Sequence, residues 1–155
     1  MSGGAHFVYG FIVGALVAPV IETTYEPAVG AMVLVTFGSM FPDIDNPNSK
    51  IASILPVLAI IISRLRLGHR NLLHSPIFLL FLFGLVGKYT LGRAFCIGYM
   101  CHLVQDLCTC GGIPLLYPNK KRYSLLPFRS GTIFDYITTL GLLLIAITIK
   151  ALVFD

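Results

Sequence analysis

Asp43-Ile44-Asp45 lies between Pro42 and Asn46-Pro47. Two carboxylates this close at a turn can converge on one cation, and their hard oxygens suit Mg2+, Mn2+ or Zn2+. The same segment also reads as a solvated turn that caps the next helix. His102 and Asp106 form a second pair, four residues apart in the apolar stretch from Phe95 to Leu107. On a helix that spacing stacks both side chains on one face, where they either ligate one metal or bond to each other and tie helices together. An ionisable residue in a lipid-embedded helix costs about 2.5–3.5 kcal/mol, so two together call for a partner. The third cluster, His69-Arg70-Asn71-Leu72-Leu73-His74-Ser75, places its imidazoles five residues apart. They share no helix face, but a loop entering a helix at Pro76 would bring them together. Arg70 offers a fork of donors suited to a phosphate. The simpler reading of this segment is a basic loop that meets head groups.

His6 alone reads as a structural histidine at a helix start. It gains weight if the helix it opens returns the chain to the Asp43 side. Four histidines and three aspartates would then supply ligands for one or two divalent ions, Zn2+ or Mn2+, able to activate a water and clamp phosphoryl oxygens. Arg70, with Lys120, Lys121 or Arg122, would neutralise those oxygens, while Asp45 or His74 would handle protons. The competing patterns G-x-S-x-G, P-loop and C-x-x-C are absent from the sequence, which leaves Ser75 and Ser124 as weak nucleophile candidates. The Lys120-Lys121-Arg122 run follows Gly111-Gly112 in a loop that opens directly after Asp106. It fits an anionic head group, or a positive-inside cluster with no ligand. Asp135 reads as an N-terminal helix charge more simply than as an acceptor behind a ligand histidine.

The elements that position these residues follow from composition. The chain has 155 residues, 56% hydrophobic and 12% charged, against roughly 25% charged in a soluble domain; its mean hydropathy is +0.85. So few charges cannot cover a soluble surface. The expectation is one all-α, polytopic membrane domain over residues 1–155. Apolar runs extend over about 5–24, 27–41, 51–63, 76–92, 93–107 and 132–154. The 51–63 run, 13 residues at 1.5 Å each, reaches only about 20 Å, short of a hydrocarbon core of about 30 Å. If it crosses, the histidines and aspartates divide between two faces. If it is re-entrant or interfacial, five crossings remain and His6, Asp43, Asp45, His69, His74, His102 and Asp106 all fall on one face.

The charges favour five crossings. Lys50, Arg64, Arg66, Arg70, Lys120, Lys121, Arg122 and Arg129 then share the histidine face, against Lys88, Arg93 and Lys150 opposite. This bias puts the histidine face in the cytoplasm. The net charge is +4, and lipid phosphate is a better partner than nucleic acid for so apolar a chain. Cys96, Cys101, Cys108 and Cys110 gather in or near one apolar segment and read as small buried residues, not a disulfide framework. The first apolar run lacks the basic flank and small-residue cleavage site of a secretory leader, so it is expected to be a span.

FPDIDNPNSKI at 41–51, HRNLLHSP at 69–76 and GYMCHLVQDLCTCGGIPLLYP at 98–118, with the early His6, resemble the YdjM family of inner-membrane, metal-dependent hydrolases. The resemblance follows the chain in order and spacing up to the last span. It departs at Cys108-Thr109-Cys110, where a Thr-Pro or Thr-Ser junction is expected. It implies metal-ligand roles for His6, Asp43, Asp45, His69, His74, His102 and Asp106, and a substrate-side role for Arg70. A more distant likeness, to zinc-dependent phospholipase C, implies phosphoester cleavage, though fold-level analogy does not fix a reaction. The expected function is hydrolysis of a phosphoester in a lipid or lipid-linked substrate of the inner membrane. The alternative is a metal or proton transporter using the same His/Asp cluster, which would spread ionisable residues through the depth of the bundle. A third option is a structural protein whose polar cluster only ties helices together.

Overall fold

Apolar runs separated by Pro, Gly and Asn become helices, and short polar side chains start them. The computed structural model describes residues 1–22, 24–64 and 70–153. Its α-helices are α1 Gly3–Ile21, α2 Tyr25–Met40, α3 Lys50–Ile54, α4 Pro56–Arg64, α5 Pro76–Val86, α6 Thr90–Leu107 and α7 Ile133–Val153. Ser2 caps α1 by accepting from the Ala5 amide, Ser49 caps α3 through the Ala52 amide, and Ser75 caps α5 through the Phe78 amide. Pro76 follows in the first turn of α5, where its missing N–H costs nothing. No strand forms among the described residues, which hold a single antiparallel bridge between Ile113 and Tyr123.

Two boundaries differ from the sequence expectation, each for a local reason. The second apolar run does not stop at Phe41. It tightens into a 3-10 turn, Phe41–Asp45, so Asp43 and Asp45 sit on the end of a helix and not in an open loop. The expected 76–92 run breaks at Gly87, and α6 starts at Thr90, ahead of Arg93. The reversal is too tight for a side chain at Gly92, whose Cβ would lie 2.0 Å from the Val86 carbonyl oxygen.

Among the described residues three segments are long and apolar enough to cross a membrane: Gly3–Ile21, Glu26–Asp45 and Ile133–Val153. α5, with 11 residues, is about 16 Å long and works as one arm of a hairpin with α6. The α5–α6 turn meets the α1–α2 turn in a cleft lined by Glu22, Glu26, Lys88 and Tyr89. At the same end Lys150 of α7 lies beside Val20 and Ile21. So α1, α2, α5, α6 and α7 run between two ends of the bundle. α3 and α4 do not. They stay against the 3-10 turn, burying Ile51, Ala52 and Ala59 with Met40, Ile44 and Leu73, as expected of the run too short to cross.

Small residues let α2 and α6 approach closely. A Cβ on Gly98 would lie 1.9 Å from the Val35 carbonyl oxygen, and one on Gly38 would lie 2.2 Å from that of Phe95. Tyr9, Val13, Ala31, Val35, Ala94, Cys101 and Leu143 fill the core between the helices. This packing fixes the register of α6 against α1 and α2 and sets the height of His102 and Asp106.

Candidate metal centre

Four elements deliver polar side chains to one end of the bundle. His6 comes from the first turn of α1, and Asp43 and Asp45 from the 3-10 extension of α2. His74 comes from the 3-10 turn Leu72–His74, one residue before the Ser75 cap, and His102 and Asp106 from the last turns of α6. His6, His74, His102 and Asp106 are 0% exposed. His69 lies outside the described residues. The other six expected ligands meet.

Hydrogen bonds fix which ring nitrogens face inward. His102 Nδ1 donates to the Ser39 carbonyl oxygen at 2.8 Å, and His6 Nδ1 donates to Gln105 Oε1 at 2.8 Å. Each ring therefore turns its Nε2 to the cluster. The two rings stack, with centroids 3.8 Å apart and planes 17° apart. His102 Nε2 is 3.2 Å from His74 Nε2, 3.8 Å from Asp43 Oδ1 and 3.8 Å from Asp106 Oδ2. His74 Nε2 is 3.5 Å from Asp43 Oδ1 and 3.6 Å from Asp106 Oδ2. His6 Nε2 stands 3.5 Å from Asp106 Oδ1, buried and without a hydrogen-bond partner.

These separations are of the size found between ligands that share an ion. Ligands on a tetrahedral zinc, at about 2.1 Å from the metal, stand about 3.4 Å from one another. His74 Nε2, His102 Nε2 and Asp106 Oδ2 form one triad near that spacing, and His6, Asp43 and His102 form a second that shares His102. Because Ser39 holds Nδ1 of His102, that imidazole has a single nitrogen to give and cannot bridge two metals. An orphaned buried Nε2 costs about 1–3 kcal/mol when nothing satisfies it, a cost that a cation held by the cluster would relieve.

The surrounding charges are balanced from one side. The Met1 ammonium pairs with Asp106. Arg70 Nη2 lies 3.2 Å from Asp106, and the Arg70 amide donates to Asp45 Oδ2 at 3.3 Å. Burial alone would lower the pKa of His74, but its bonds to Asp43 and Asp45 outweigh that and raise it to about 9. A metal taking His74 must therefore displace a proton. Arg70 holds a left-handed backbone, φ 59°, unusual for a residue with a side chain. Its guanidinium fills the space beside Gly111, where a Cβ would come within 1.7 Å of Nη1. The side chains of Arg70 and Asp43 are 13% and 15% exposed, so the mouth of the cluster opens there.

The remaining expected residues fall elsewhere. Lys120, Lys121 and Arg122 are exposed at the tip of the hairpin closed by the Ile113–Tyr123 bridge, with Lys121 over the Tyr123 ring. They border the site's end of the bundle and are not in the buried cluster. Asp135 is buried and accepts from the amides of Ser2 and Gly131, so it clamps the start of α1 to the start of α7 in place of serving as a surface helix charge. Ser75 is spent on capping, and Ser124 donates to the Thr109 carbonyl. The four cysteines are free, with only Cys110 exposed. The sequence reading missed Gln105 and Ser39. Gln105 lies three residues after His102, on the face that also carries Gly98. A polar residue on that face of a membrane helix is the signal that would have found it.

Fold and site together define a polytopic, all-helical membrane protein with a buried His/Asp cluster near one end and an arginine at its mouth. The chain belongs to the YdjM family of inner membrane proteins, whose family model matches residues 1–154. It is 30% identical over 149 residues to the uncharacterized protein YvsG of Bacillus subtilis, covering 93% of this chain and 91% of that one. It is 32% identical over 98 residues to the inner membrane protein YdjM of Escherichia coli, and to that of Shigella flexneri, covering 56% of this chain and 48% of each relative. No solved structure matches the chain.

Proposed function

We propose that this inner membrane protein is a metal-dependent hydrolase that cleaves a phosphoester of a lipid or lipid-linked substrate. The observation that carries the reading is the convergence of His6, His74, His102, Asp43 and Asp106 into two overlapping triads at ligand spacing, with a guanidinium at the entrance. His74, His102, Asp43 and Asp106 would hold one Zn2+ or Mn2+, with His6 beside them. Such an ion, when bound, supplies Lewis acidity and an acidified water. Arg70 takes the phosphoryl oxygens by its two-pronged geometry. Asp45, beside His74 Nδ1 at 3.5 Å, holds that ring in place and takes a proton at the mouth.

Transport by the same cluster is disfavoured by what lies beneath it. Towards the opposite end the described core is Tyr9, Val13, Ala18, Ala31, Val35, Ala94, Cys101 and Leu143, which offers a cation no ladder of ligands. We place the site on the cytoplasmic side because most Lys and Arg gather at its end. Cys110 supplies the test of that placement. A membrane-impermeant maleimide should label it in inverted vesicles and not in spheroplasts, and the reverse result overturns the orientation.

The test of the activity is metal content by mass spectrometry on purified protein. It is joined to a screen of phosphatidic acid, lipid pyrophosphates and polyprenyl phosphates with the metal-loaded chain. About one ion per chain, and turnover abolished in His102→Ala, are expected. Full metal occupancy in both His102→Ala and Asp106→Ala removes the catalytic reading.

A further inference from the structure

α3 and α4 are largely apolar on both sides, and their exposed serines, Ser53 and Ser63, turn their hydroxyls back onto the Lys50 and Ile60 carbonyl oxygens of their own helices. Their inner side buries Ile51, Ala52 and Ala59. On the outer side Val57 is 71% exposed, Ile54 61%, and Ile60 and Ile61 53% each. A short interfacial helix facing water carries polar residues on that side. Here the charges stand only at the two ends, Lys50 and Arg64, both exposed, where long side chains can reach phosphate head groups while the apolar stretch between them is immersed. Position gives the same answer. The pair packs on Phe41–Asp45, which is the last turn of the membrane span Glu26–Asp45. It also packs beside Phe78 of α5, whose neighbours Ile77 and Phe81 face outward. The outer face of α3 and α4 thus continues the lipid-facing surface of the bundle.

A groove of about 160 Å3 runs over this pair, lined by Pro47, Ala52, Pro56, Ala59, Ile60 and Ser63. Pro47 of its lining follows Asp45 by two residues in the chain. We propose that this groove takes an acyl chain of a phosphate-bearing lipid from the leaflet on the site's side, so that the head group reaches Asp45 and Arg70 laterally from the bilayer. The statement about the head group rests on the hydrolase reading. The statement about the acyl chain does not.

The chain has no tryptophan, so a single Val57→Trp in lipid nanodiscs is a clean reporter. Its emission should be quenched by lipids brominated in the acyl chain as strongly as that of Leu144→Trp on α7, and should resist iodide. Quenching by iodide with no response to brominated lipid overturns the proposal. For the groove, phosphatidic acid carrying a diazirine in its acyl chain is photolysed with the full-length protein, and labelling is mapped by mass spectrometry. Labelling of residues 56–63 should exceed that of α7 and fall at least fivefold in Ile60→Glu and in the groove-filling Ile60→Trp. Labelling of 56–63 no greater than that of α7, or unchanged in both variants, overturns it. Neither measurement needs turnover, so an inactive protein would leave both outcomes readable and would count against the hydrolase reading alone.

Discussion

α6 and α7 use similar lengths of chain and finish in opposite surroundings. α6 buries nine of its 18 residues, among them His102, Gln105 and Asp106, and α7 buries only Asp135, Thr139 and Leu143 of its 21. The more apolar helix is the more exposed one. In lipid an exposed Ile or Leu costs nothing, so apolar area does not decide which helix goes inside. Close approach of small residues and the need to satisfy polar groups decide it. Gly98 and the polar end of α6 draw that helix to the centre, while the Ile/Leu surface of α7 is left against the bilayer.

The contrast is broken most directly at its polar end. His102→Ala and Asp106→Asn should each take bound metal from about one ion per chain to none, since the ion's affinity derives from its converged ligands. Thr148→Ala on the exposed face of α7 should leave metal content unchanged. Circular dichroism on the same samples separates ligand loss from unfolding. Retained metal in both α6 variants would show that the cluster is helix glue.

The next effect is on packing. In Gly98→Ala the new methyl meets the Val35 backbone carbonyl, which cannot swing aside as a side chain can. Overpacking of this kind should cost about 3 kcal/mol, the upper end of its usual range, read as lowered thermal stability in detergent. It should also weaken metal binding, because α6 must move away from the α2 turn that carries Asp43. A neutral result would mean that α2 and α6 are not held at this distance.

Gln105 sharpens the comparison from within α6. It accepts from His6 Nδ1, and its Nε2 donates to Thr139 Oγ1 on α7 at 3.1 Å, so it spans the inner helix, α1 and the outer helix. Gln105→Leu frees the His6 ring and should weaken metal binding about 10–100-fold, or about 1.4–2.7 kcal/mol at 1.36 kcal/mol per decade. Gln105→Glu keeps an acceptor for Nδ1–H and should recover most of the affinity. Equal losses in the two variants, measured by competition with a chelating dye, would make Gln105 a packing residue only.

Much of this arrangement is legible in the sequence. The 13-residue run 51–63 was too short to cross, and the structure keeps α3 and α4 at one end. That single inference puts His6, Asp43, His74, His102 and Asp106 together. The i, i+4 spacing of His102 and Asp106 fixed their shared face. What could not be read was pairwise and long-range. The Ser39 carbonyl and the Gln105 side chain select the histidine tautomers across 63 and 99 residues of chain, and no local pattern encodes that. Asp135 looked like a helix-start charge because its partners, the Ser2 and Gly131 amides, become visible only once α1 and α7 are side by side. The basic run Lys120-Lys121-Arg122 has the right composition for phosphate, but a hairpin sets it at an exposed tip.

The smallest expected effect tests the outer half of the contrast. Gly141 of α7 has no atom within 4 Å of the position a Cβ would take, so Gly141→Ala meets no obstacle. The substitution removes backbone freedom from the unfolded chain and improves helix propensity, together about 0.5–1 kcal/mol in favour of the folded state. Thermal unfolding of Gly141→Ala beside Gly98→Ala, in one detergent, should therefore move the two midpoints in opposite directions. If both fall, the open side of α7 is covered by another protein surface in the sample, and exposure to lipid is not what sets α7 apart from α6. If Gly141→Ala alone rises, burial in this bundle follows small and polar residues, because the same chemical change, one methyl on a helical glycine, is resisted only where helix backbones touch.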